Sequence, residues 1–244
     1  MNFNECAMEV HEFVNLYKEV FGGNVNLPLV FSYSDEAVTE PRAIPGCFFK
    51  SFEGAISGEP VTLTVKTIGC GGGKFYTGFT EMPERIPGFV SMKEHYKQTP
   101  EQVSAFVEKI QVERTKYTYL NIQRVDRVES LENIEGMIFL ATPDVLSGLC
   151  GWAFYDNTDD DAVTTIFGSG CSTMFANVTT ENRRGGHRCF LGLFDPSVRP
   201  HIPAGCLGFG VPKSRLDVML GTINECFLTN SVAWEKVKKR INES

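Results

Sequence analysis

The sequence predicts an α+β domain, built from two divergent copies of a mixed strand and helix unit related by pseudo-twofold symmetry. Two observations carry this. Each half holds a cysteine in a glycine-rich turn, Ile68-Gly69-Cys70-Gly71-Gly72-Gly73 and Gly168-Ser169-Gly170-Cys171. Each turn is followed by an aromatic and glycine segment, Phe75-Tyr76-Thr77-Gly78-Phe79 and Phe190-Leu191-Gly192-Leu193, and then by a proline loop, Pro83-Glu84-Arg85-Ile86-Pro87 and Ser197-Val198-Arg199-Pro200-His201-Ile202-Pro203. Strand and helix patterns alternate without a strict parallel order, and no Ser/Gly/Pro linker separates the halves. A single domain over 1–244 is expected, with repeats near 27–112 and 133–225 and a C-terminal helix near 231–242.

Val10, Phe13, Leu16, Tyr17 and Val20 follow helical spacing, and Gly22-Gly23 stops that helix. Leu27 to Tyr33 reads as a strand with Leu29-Val30-Phe31 at its centre, Cys47 to Ala55 as a short buried helix, and Val61 to Val65 as a strand with period-two alternation. Pro83 and Pro87 suggest an irregular loop; Thr99-Pro100 reads as an N-cap with proline in the first helical position. Tyr117 to Ile122 is a strand expected to bridge the two copies.

The second copy opens with the strand Met137 to Leu140, followed by a helix from Thr142-Pro143-Asp144 to about Tyr155 and a strand at Val163 to Ile166. Ala176 through Arg188 has no counterpart in the first copy and carries the local basic charge. Cys189 to Phe194 and Gly205 to Val211 are strands whose small residues permit close packing. Pro212-Lys213-Ser214 starts a helix, and Ser231 caps the last one.

Composition bounds the function. A chain of 244 residues that is 42% hydrophobic buries a sizeable core, and its net charge of -7 argues against nucleic acid as a partner. No stretch approaches the roughly 20 apolar residues of a membrane span. Met1 to Glu5 lacks a basic region followed by an apolar one, so no secretory signal is expected and the location is expected to be cytoplasmic. The eight cysteines are then reduced thiols or metal ligands rather than disulfides. A small-molecule partner is expected, with no membrane, and a homo-oligomer is left open.

At this point the residues carry a resemblance. The Gly-Cys element at Cys47, the Cys-Gly-Gly turn at Cys70, the Thr-Pro-Asp helix entry at Thr142, the Cys171 turn and the Arg188-Cys189 strand occur in an order similar to the domain of unknown function 169 family, also labelled archaeal conserved region. The resemblance spans about Leu27 to Ile223. It implies no catalytic residues, because the family is uncharacterised.

The chemistry must therefore come from the residues. Cys47, Cys70, Cys171 and Cys189 lie in or beside the repeated elements and are candidate ligands for zinc or an iron-sulfur cluster, although none belongs to a Cys-x-x-Cys pair; buried thiols without a ligand are the plainer reading. A thiolate at the start of a helix is a candidate nucleophile or redox thiol, and His187 and His201 are the nearest candidate bases. Gly69, Gly71, Gly72 and Gly73 can form an anion-binding nest, with Lys74, Arg183, Arg184 or Arg188 supplying charge, or simply a tight turn. Arg85 and Arg199 occupy matching places before Ile-Pro and can bind carboxylates or tie the loop to carbonyls. The sequence thus points to a small ligand or metal cofactor in a cleft between the Cys70 and Cys171 turns, with a cysteine-dependent enzyme and a non-catalytic interaction protein as alternatives.

Overall fold

A computed structural model of the protein describes residues 8–243; Cys6 and the N-terminal reading above lie outside them. In chain order the elements are α1 (Val10–Phe21), β1 (Leu29–Ser34), α2 (Lys50–Ser57), β2 (Val61–Leu63), α3 (Gly71–Tyr76), α4 (Ile86–Met92), α5 (Pro100–Lys109), β3 (Tyr119–Arg124), β4 (Gly136–Ala141), α6 (Pro143–Tyr155), β5 (Val163–Thr165), α7 (Val178–Arg183), β6 (Cys189–Gly192), β7 (Leu207–Pro212), α8 (Lys213–Thr222), α9 (Phe227–Asn230) and α10 (Val232–Glu243). The strands form one seven-stranded sheet in the order β2-β3-β1-β4-β7-β6-β5. Every pairing is antiparallel except β5 with β6. The α+β class is thus established.

Alternation along the strands divides the interior in two. On one face Val30, Met137, Phe139, Phe209 and Val211 meet α1, α6, α8, α9 and α10. On the other Leu29, Phe31, Leu120, Ile122, Ile138 and Leu140 meet α2, α3 and the chain from Cys171 to Val178. β4 is buried along its whole length because both faces are covered. On the first face α10 is pinned by Trp234, whose indole N–H donates to the Val20 carbonyl at 2.8 Å.

On the second face a π-helix, Ser172–Asn177, leads into α7. Its wide turn carries Phe175 into the centre of an aromatic cluster, 4.8 Å from Phe31 and 5.0 Å from Phe48 between ring centres. Gly208 and Gly210 of β7 make room for it: a Cβ on Gly208 would stand 2.9 Å from Met174 Sδ, and one on Gly210 2.7 Å from Val178.

The structure departs from the expected symmetry in particular places. β1 and β4 are central antiparallel neighbours flanked by β3 and β7, as two copies would be. A twofold axis relating them would run through the sheet and keep faces, yet α2 packs on one face and α6 on the other. β2 pairs antiparallel with β3, whereas β5 pairs parallel with β6. β3 does not bridge the halves; it lies between β2 and β1, and the join is made by β1 with β4. The Pro83 to Pro87 segment is also more ordered than a loop, because Pro87 sits in the first turn of α4, where its missing N–H costs nothing.

Candidate functional site

Both cysteine turns lie on the α2 face of the sheet, and a cavity of about 420 Å³ opens beside them. One wall is made by two adjoining backbone segments. Ile44 N–H donates to Thr67 O at 2.8 Å and Gly69 N–H to Ile44 O at 3.0 Å. A Cβ on Gly69 would sit 2.7 Å from Ile44 O, so only glycine lets these segments touch. The contact sets Cys47 and Cys70 on one rim, and both line the cavity.

Cys70 is the N-cap of α3, its sulfur accepting from Gly73 N–H at 3.4 Å. Gly71 and Gly72 form the first helical turn and line the cavity, whereas Gly73 packs inward, its Cβ position 3.0 Å from Phe48. Nothing but Cys70 Sγ lies within 4 Å of a Cβ built on Gly72, so that position faces open space.

The opposite wall comes from the second half of the chain. Gly168 and Ser169 line the cavity, and Gly170 N–H donates to the carboxylate of Asp195 at 2.6 Å. Asp195 is 3% exposed, accepts a second bond from Ser197 Oγ, and itself lines the cavity. Cys171 follows at once but stays buried behind the lining as part of the aromatic core. Ile86, Phe89 and Val90 from α4, with Val103 and Phe106 from α5, give the roof an apolar surface, and Glu94, Tyr96 and Lys97 from the chain between them also line the cavity.

Burial above all pushes the Cys47 thiol above its ordinary value, and the neighbouring Cys70 and Asp195 side chains add to it. Cys171 is pushed up further, by burial and then by Cys70, Cys47 and Asp195. Burial thus favours the neutral thiol at Cys47 and Cys171, the opposite of what an activated nucleophile at either position requires. Among the described residues no histidine lines the cavity. His187 pairs with Asp161 at 3.1 Å, and His201 Nδ1 with Glu53 at 2.8 Å.

The remaining candidates separate clearly. Cys189 points to the other face of the sheet, where its sulfur is 3.9 Å from Met219 Sδ and burial pushes its thiol up to about 12. It cannot join Cys47, Cys70 and Cys171 on one ion. Among the described residues the one trio of ligand atoms close enough to share a metal is Asp159, Asp161 and His187, at the opposite ends of β5 and β6 from the cavity. Arg188 is held by the buried carboxylate of Glu181, at 3.0 Å from Nε and 2.6 Å from Nη2. Arg199 donates to the carbonyls of Cys206 and Ala204, the loop-tying role. Arg85 alone among the proposed arginines reaches the cavity.

Sequence reasoning missed Asp195 and the α4 part of the roof. Asp195 had a local signal, since Asp-Pro-Ser after a strand marks a turn whose carboxylate seeks backbone N–H groups. With the fold and cavity described, comparison with known families gives one match, over residues 28–221, to domain of unknown function 169, described as uncharacterised ArCR. The chain belongs to this family. Comparison with curated proteins and with solved structures gives no match. The family carries no named activity, so the cavity is the ground on which a function for this DUF169 member must be argued.

Proposed function

We propose that the protein binds a small molecule in the cavity between the Cys70 and Cys171 turns. The observation that carries this is the convergence of separate chain segments on one space of ligand size, about 420 Å³, with an apolar roof and a few polar groups at its base. The ligand has an apolar body that packs against Phe89, Val90 and Phe106. Its polar end meets Cys47, Cys70 and Asp195, with Arg85 at the mouth. A cofactor held by sulfur would draw on Cys47 and Cys70, the cysteines that line this space.

Gly72→Leu tests the reading. The side chain extends into open cavity and replaces glycine in a helix, where leucine is favoured by roughly 0.8 kcal/mol. A panel of small amphiphiles is screened by thermal shift against the wild type and this variant. Compounds that raise Tm of the wild type and leave Gly72→Leu unmoved support the cavity as the binding site. Compounds that stabilise both proteins equally, or no stabilising compound at all, overturn it.

A further inference from the structure

The chain between Gly78 and Thr115 leaves the body of the domain and returns to the same point. Thr115 N–H donates to Gly78 O at 3.1 Å, and Arg114 Nη2 donates to Phe79 O at 3.3 Å. Gly78 has φ 79°, and a Cβ there would stand 2.4 Å from Glu113 O and 3.0 Å from Thr115 N. This crossing is therefore a clasp that depends on glycine. Between its ends lie α4 and α5, which pack on each other. Ser91 is the buried residue of α4 and Val103 that of α5. The apolar residues on their inner side form the roof of the cavity; Phe89, one of them, is still 43% exposed, and Met92 is 64% exposed.

We propose that residues 79–114 are a hinged lid that swings about the Gly78 clasp to open and close the cavity. The closed position is a seated one. Phe106 rests in a notch left by Gly168, where a Cβ would stand 2.5 Å from its ring, and Ile86 and Pro83 rest over Gly71. The far end is tied lightly, by the Tyr96 hydroxyl against the Ser197 backbone. The root is tied more firmly, by Thr180 Oγ donating to Gln111 O at 2.7 Å. The segment's contacts with the core gather at its root, where Ile110 is buried and Phe79, Met82 and Val112 pack beside it, while Phe106 and Val107 of α5 are only partly buried. A segment rooted and seated in this way opens at lower free energy than the sheet beneath it. Opening widens the access of a ligand to Cys47 and Cys70, which are half-buried in the closed position. The proposal rests on the cavity being the binding site, but the motion belongs to the protein alone and is read without a ligand.

The experiment is site-resolved alkylation of the intact protein by N-ethylmaleimide, followed by peptide mass spectrometry. The variants are Phe106→Ala, which empties the seat, and Arg114→Ala, which loosens the clasp. Cys47 and Cys70 are expected to react about tenfold faster in either variant, equivalent to about 1.4 kcal/mol in the opening equilibrium. Cys189 and Cys226, buried on the opposite face, are expected to remain unreactive. Unchanged rates at Cys47 and Cys70 in both variants overturn the lid. So does acceleration at all four cysteines together, since the segment would then open only with the whole fold. A ligand that binds while these rates ignore both variants removes the lid and keeps the site; a lid that opens over a cavity that takes no compound does the reverse.

Discussion

At the scale of single residues, the group that shapes the site most is a carboxylate. Asp195 is buried and accepts from Gly170 N–H and Ser197 Oγ, so it fixes the turn that precedes Cys171. Asp195→Ala strands the buried Gly170 N–H and should cost about 1–3 kcal/mol in urea unfolding. Asp195→Asn should cost much less, because its oxygen still accepts from Gly170 while its amide donates to Ser197 Oγ; equal losses would refute this assignment. A second buried charge gives a pH signature. Arg215 is 4% exposed and donates to Asp156 Oδ2 at 2.9 Å, and this hydrogen bond holds the Asp156 carboxyl below its ordinary 3.8. A depressed folded value means stability present above the unfolded value and lost as pH falls from there through the folded one. Asp156→Asn should therefore cost about 3 kcal/mol at neutral pH, leaving Arg215 without its counter-charge. The gap from wild type should close between about pH 5 and pH 2, and a gap constant with pH would rule the pair out as its source.

At the scale of elements, what was legible in the sequence was what local physics decides. The Gly22 stop of α1, the Thr99 cap of α5, which accepts from Gln102 N–H at 3.3 Å, and the Ser231 cap of α10 lie where the residue types put them. The strands were legible from alternation and β-branched content, within a residue or two. Face assignment was not, because an apolar helix surface shows which side of the helix is buried but not which face of the sheet it meets, and tertiary packing sends α2 and α6 to opposite sides. For the same reason Cys189 seemed to belong with Cys70 and Cys171: period two in β6 sends it to one face and Phe190 to the other. The roof was half legible: helical spacing of Val103, Phe106, Val107 and Ile110 marks the apolar face of α5, whereas Pro83 and Pro87 suggested a loop where α4 forms. α6 itself shows how tight the opposite layer is. A Cβ on Gly148 would stand 2.4 Å from the Trp234 ring and 2.7 Å from Phe21. Gly148→Val should lower stability by about 1–3 kcal/mol, as overpacking does, despite valine's better helix propensity. A variant as stable as wild type in urea would show that α10 can shift freely.

At the scale of the whole molecule, the sheet separates two tasks. One face holds α1, α6, α8 and α10 around a dense core; the other holds the cavity, the aromatic cluster and the roof. Cysteine is found in both, so the same substitution should have opposite consequences on the two sides. Cys70→Ser keeps an acceptor at the N-cap of α3, and a hydroxyl caps better than a thiol, so the unfolding midpoint should hold or rise. Its effect should appear in binding: a compound found by the thermal-shift screen should lose about tenfold or more in Kd as its contact with sulfur is removed. Cys189→Ser buries a hydroxyl beside Met219 in a fully enclosed site, which should cost about 1–3 kcal/mol of stability. Its Kd for the same compound should match wild type, since the intact sheet insulates the cavity from that change. If Cys189→Ser weakened binding as much as Cys70→Ser, the two faces would be coupled, and the cavity could no longer be treated as a site carried by one side of the sheet.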